Sequence, residues 1–178
     1  MSELSATLER ISGMVHKGRS RLARRLQGLS PGLSLADIEC KVQSYPFALP
    51  DEFYELYQWR DGGALDISYF ARIYSLDEAI ALYQAMCESG QDFDPHLFPV
   101  VKLHEEGGIV VCLKGSDSPQ ESSPVLEWRT GGAAPGIWHS RFNDLMMAIA
   151  DVLAFDGQEN AAAASTSVEA EQSLLIPG

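Results

Sequence analysis

The chain predicts an α+β fold: a mostly antiparallel sheet of about five or six strands, with helices packed on one side and framing the chain ends. Three observations lead there. Apolar residues recur three and four apart behind serines at 34, 75 and 140, each placed to cap a helix. Runs rich in β-branched and aromatic residues alternate with short polar or glycine-rich stretches, and residues 97–113 read as a hairpin. Finally, 178 residues with 46% hydrophobic content are enough to bury one real core.

Residues 3–27 set Leu4, Leu8, Ile11, Val15, Leu22 and Leu26 on one helical stripe. Gly13 and Gly18 weaken it mid-way, by about 1 kcal/mol each against alanine. Residues 1–28 therefore read as a basic amphipathic helix packed on the main domain. Its arginines also suit a transit peptide or a nucleic-acid arm, but Glu3, Glu9 and the acidic remainder argue against both. Docking onto an acidic face of its own domain is a further option.

Ser34 offers a cap to a helix whose Leu35, Ile38 and Val42 share one face, with Asp37 near its positive end and Pro46 as its stop. Leu49-Pro50-Asp51 opens a second helix with Phe53, Leu56 and Tyr57 on its buried face. Gly62-Gly63 ends it, since glycine enters the left-handed region without a Cβ penalty. Residues 64–74 read as one or two strands. Ser75-Leu76-Asp77-Glu78 is a capping box for a helix carrying Leu76, Ala79, Ile80, Tyr83, Met86 and Cys87, with Gly90 as its end. The hairpin of 97–113 turns at Glu105–Gly108. Strands follow at 125–129 and 137–139, across loops at 114–124 and 130–136. Ser140 is placed to cap a last helix with Phe142, Leu145, Met146, Ile149, Val152 and Leu153 on its apolar face. Residues 29–155 thus form the domain. Residues 156–178 change to alanine, serine and glutamate, which predicts weak order with Leu174-Leu175-Ile176 as a docking tag.

The order helix, Leu-Pro-acid, aromatic, apolar turn and Asp-Gly-Gly resembles the SUKH superfamily, carried here by Leu49, Pro50, Asp51, Phe53, Leu56, Tyr57, Asp61, Gly62 and Gly63. The strand entering Ser-Leu-Asp-Glu-Ala-Ile and the closing Ser-x-Phe-x-x-Leu helix extend the likeness over about residues 33–155. That superfamily groups fungal cell-wall (glucan synthesis) regulators of the SMI/KNR type with bacterial toxin-immunity proteins. The family often has an acidic residue just after the hairpin glycines. Ile109 stands there in this chain and Glu105-Glu106 precede the glycines, so no role of that acid carries over.

Charge narrows the function. The net charge is −12, but residues 1–28 hold six basic residues against Glu3 and Glu9, while the remainder holds seven basic and 23 acidic ones. Such a surface repels nucleic acid and favours a basic protein partner. Cys40, Cys87 and Cys112 are an odd number without metal-like spacing, which suits a reduced, cytoplasmic setting and places all three in the core. No apolar run, Ile109 to Leu113 included, approaches the length of a membrane span. No metalloprotease, nucleophile-elbow, phosphate-loop or C-x-x-C motif is present, and His16, His96, His104 and His139 are scattered. The reading is a non-enzymatic protein with no catalytic residues, no cofactor and no metal.

What remains is surface. Asp61, Asp66, Asp92, Asp94, Glu105 and Glu106 fall in strand ends and loops that, on one rim, would steer a basic partner. Trp59, Trp128 and Trp138 supply an aromatic hot spot if exposed and core otherwise. The resemblance then implies an immunity protein that neutralises a secreted toxin, a nuclease being one candidate. The alternative is a regulatory or scaffold module resembling the fungal cell-wall regulators. Oligomeric state is left open.

Overall fold

The computed structural model of the chain describes residues 2–16, 29–67, 70–89, 93–104, 109–129 and 135–155. Six strands, β1 (Gly63–Ile67), β2 (Phe70–Ile73), β3 (Leu97–Leu103), β4 (Val110–Lys114), β5 (Val125–Trp128) and β6 (Gly136–His139), pair in sequence order, each antiparallel to the next. The α+β class and the antiparallel sheet are as the sequence predicts, and residues 64–74 resolve into two strands rather than one. Neighbours in sequence are neighbours in space, with the helix Leu76–Glu88 lying in the connection between β2 and β3 and a longer loop between β4 and β5.

Alternation along the strands separates two apolar faces. Val111, Leu113 and Val125 belong to the larger core cluster, while Val110, Cys112, Leu126 and Trp128 belong to a smaller one. The sheet is strongly curled. In a flat sheet β2 and β6 stand roughly 19 Å apart, at about 4.8 Å per strand. Yet the rings of Phe70 on β2 and Trp138 on β6 lie 5.8 Å apart, a gap that two side chains bridge only if the sheet bends toward that face.

The concave side holds the main core. It takes Leu4, Leu8 and Ile11 from α1 (Glu3–His16), Ile38 and Val42 from α2 (Leu35–Val42), and Phe53, Leu56 and Tyr57 from α3 (Asp51–Trp59). The last helix, α5 (residues 142–155), adds Phe142, Leu145, Met146, Ile149 and Leu153. α4 (Leu76–Glu88) gives Leu76, Ala79 and Tyr83 to the same core and Met86 to the smaller cluster. One helix thus reaches both faces.

Local signals explain most boundaries. Ser34 Oγ accepts from the Asp37 amide at 3.2 Å, and Ser75 and Glu78 form the reciprocal box at the start of α4. α3 ends at Trp59, three residues before its glycines, with Arg60 extended and bridged to Pro31. Gly62 has a φ of 76°, and a Cβ there would meet the Ser75 backbone nitrogen at 2.4 Å. Only glycine fits that crossing.

Three readings need correction. Leu35 is 44% exposed, because it is the first residue of a short helix and Leu33 packs against the core in its place. Cys40 and Cys87 lie on exposed helix faces, and only Cys112 is buried. Ser140 does not take the free amides of α5; its hydroxyl donates to Asp144 at 2.8 Å. The expectations for residues 17–28, for the turn at 105–108 and for the tail at 156–178 lie outside the described residues.

Candidate functional site

α3 starts without a capping side chain. Its first amides instead reach the loop before β5, Asp51 donating to the Gln120 carbonyl at 2.9 Å and Glu52 to the Glu121 carbonyl at 3.2 Å. This seats Glu52 on the buried stripe with Phe53, Leu56 and Tyr57, only 7% exposed. A carboxylate there must be paired. Its partners are the first amides of α5: Asn143 N donates to Oε1 at 3.1 Å and Phe142 N to Oε2 at 3.2 Å. Burial pushes the Glu52 carboxyl above the ordinary glutamate range, against the pull of Ser122 and of the Asn143 and Phe142 amides. The Ser122 Oγ beside it is buried and makes no hydrogen bond of normal geometry.

α1 completes the wall. Thr7 Oγ1 donates to the buried Asn143 Oδ1 at 2.8 Å, Arg141 Nη1 to Glu3 Oε2 at 2.6 Å, and Ser5 Oγ to Glu55 Oε2 at 2.9 Å. Between α1, α3, α5 and the loop at 121–122 lies a cleft of about 410 Å³, bordered by Glu3, Asp51, Glu52, Glu55 and Glu121 around one cation, Arg141. A second cleft of about 280 Å³ lies between α1 and α3, with Glu9 and Glu55 on its border. Five acidic side chains around one guanidinium give the cleft a net negative field.

The residues singled out from sequence lie elsewhere. Asp61 Oδ1 accepts from the Leu76 amide at 2.7 Å and so helps to cap α4. Asp94, in the segment after α4, accepts from the His96 amide at 2.9 Å and contacts His96 Nδ1 at 3.3 Å. Both serve the chain's own backbone. Asp66 lies in β1 with its side chain outside the described residues, and Asp92, Glu105 and Glu106 are outside them altogether. Trp128 is buried, Trp138 packs on Phe70, and Trp59 donates its indole N–H to Ser12 Oγ at 2.8 Å, so the tryptophans take the packing role. Burial alone pushes the Cys112 thiol far above its usual range. One signal for the cleft was present in the sequence: Glu52 is four residues before Leu56, on the apolar stripe itself.

Among the described residues, no group of three His, Cys, Asp or Glu side chains is arranged to hold a metal ion, and no helix is long and apolar enough to cross a membrane. No family model matches the chain, and no curated protein is similar to it.

Proposed function

We propose that the protein is a non-catalytic binding module, working in the cytoplasm, that captures a basic protein surface at the acidic cleft. The observation that carries this is the basin of Glu3, Asp51, Glu52, Glu55 and Glu121 around Arg141 on a chain of net charge −12. Such a field steers a cationic partner and sets the register of its basic side chains. The sequence resemblance to the SUKH superfamily supports the narrower reading: an immunity protein whose partner is a secreted toxin with a phosphate-binding, hence basic, face. Co-expression with a toxin encoded beside this gene is the test. Co-expression should restore growth, and the purified pair should form a 1:1 complex that weakens as salt is raised. Absence of protection, with several house-keeping proteins recovered by affinity purification instead, replaces this reading by a regulatory scaffold.

A further inference from the structure

α1 lies in a groove between α3 and α5, and its contacts advance along both in the same direction. On the α3 side Ser5 reaches Glu55 and Ser12 accepts from Trp59; on the α5 side Glu3 meets Arg141, Thr7 meets Asn143 and Arg10 meets Asp151 at 2.9 Å. The seat is apolar at its floor, where Leu4, Leu8 and Ile11 are all but completely buried. Spacing of four and three residues makes this a groove for one stripe of an amphipathic helix.

The occupant fits the floor better than the rim. The clefts of about 410 and 280 Å³ flank α1 at the surface, and Glu55 borders both, so side chains longer than those of α1 have room on either flank. Facing those spaces, Ser5 of α1 and Ser2 just before it offer neutral hydroxyls to Glu55, and α1 brings a further carboxylate, Glu9, to the second cleft. Like charges are thus set across the seam between α1 and α3, while among the described residues no cation pairs with Asp51, Glu55 or Glu121.

We propose that the α3/α5 groove is a docking site for a basic amphipathic helix, which displaces α1. The incoming helix carries apolar residues where α1 has Leu4, Leu8 and Ile11, and lysine or arginine where α1 has Ser5 and Glu9. The smaller cleft, which Ser5, Glu9 and Glu55 all border, gives those longer side chains room to reach Glu55. This rests on the reading of the protein as a binder of basic partners and names the form of the partner.

The test uses the full chain and synthetic peptides of its own residues 2–16: the native sequence, one with Ser5→Lys and Glu9→Lys, and one with Ser5→Gln and Glu9→Gln to match helix propensity without charge. The two lysines share one carboxylate, Glu55, and a charge pair of ordinary partly exposed strength amounts to about fivefold in affinity. The lysine peptide should therefore bind about fivefold tighter than the glutamine one by fluorescence anisotropy, and its binding should speed hydrogen exchange in the chain's own Glu3–His16. Equal affinities overturn the proposal, as does binding that leaves α1 protected. A native mass twice that of the chain, reduced by the peptide, would mean that a second copy fills the groove and would overturn it as well. Peptide binding without protection from a toxin sinks the immunity reading alone; a captured basic protein with no peptide binding sinks the groove alone.

Discussion

The starts of α4 and α5 solve the same problem in opposite ways. Each first turn leaves amides without a partner inside the helix. At α4 the main answer is local: Ser75 Oγ takes the Glu78 amide at 3.3 Å and Glu78 Oε2 takes the Ser75 amide at 2.9 Å, with Asp61 Oδ1 adding a bond to the Leu76 amide. At α5 the nearest hydroxyl, Ser140, turns to Asp144. The amides of Phe142 and Asn143 go to Glu52, 90 and 91 residues earlier, in a buried site. The Ser75 hydroxyl bonds only within the first turn of its own helix. The remote cap ties α3 to α5, and through Asn143 and Thr7 it ties both to α1.

Removing the remote cap should therefore have the largest effect. Glu52→Ala leaves two buried amides unpaired, about 1–3 kcal/mol for each in general, so roughly 3 kcal/mol of stability should be lost. Urea denaturation measures the loss, and hydrogen exchange should show the α5 amino terminus and α1 opening together. A loss confined to α5 would break the tie.

The pH dependence sharpens the same point. Glu52 is raised, so the folded state holds its proton more tightly than the unfolded chain does. The stability attached to this group is fully present below its unfolded range and is lost as pH rises through the raised folded value. Glu52→Gln cannot titrate. The advantage of the native chain over this variant should shrink as pH rises from the ordinary glutamate range through the raised folded value, as followed by midpoints in urea. Glu78 runs the other way: burial pushes it up, but the Ser75 amide and hydroxyl together with Arg72 hold it below the usual range. Its contribution is present at neutral pH and is lost as pH falls through that lowered value.

Legibility follows the same division. Ser34 and the Ser75 box act over three residues, so the sequence displays both partners, and the hairpin and the α+β class follow from equally short-range patterns. Glu52 shows only a position. It sits on a stripe with Phe53 and Leu56, which says that it is buried but not that amides at 142 and 143 receive it. The acidic cleft is likewise assembled from α1, α3, the loop at 121 and Arg141, segments that no spacing rule connects. Of the acids chosen from sequence, Asp66 lies in β1, and the two whose side chains are described, Asp61 and Asp94, hold the chain's own backbone.

Ser75→Ala tests the local side of the comparison. Loss of an exposed N-cap hydroxyl costs about 1 kcal/mol. Exchange should rise only at the first turn of α4, because the interaction reaches no other element. A drop as large as that of Glu52→Ala would erase the distinction between the two caps.

The smallest effect belongs to Ser140→Ala. By sequence Ser140 stands where Ser75 does, just before an apolar helical stripe, and equal position would give equal effect. The structure gives its hydroxyl a side-chain partner only, Asp144 Oδ2, so no amide is abandoned when it goes. The loss should be a few tenths of a kcal/mol, about what an exposed polar pair contributes. What should move is Asp144, whose carboxyl is held below its usual range first by Ser140 and then by Arg141. Its titration in the variant should shift upward by nuclear magnetic resonance, and the folded state should begin to lose this contribution at a higher pH as acid is added. A stability loss near that of Ser75→Ala would mean that α5 is capped locally after all, and that Glu52 is buried for packing alone.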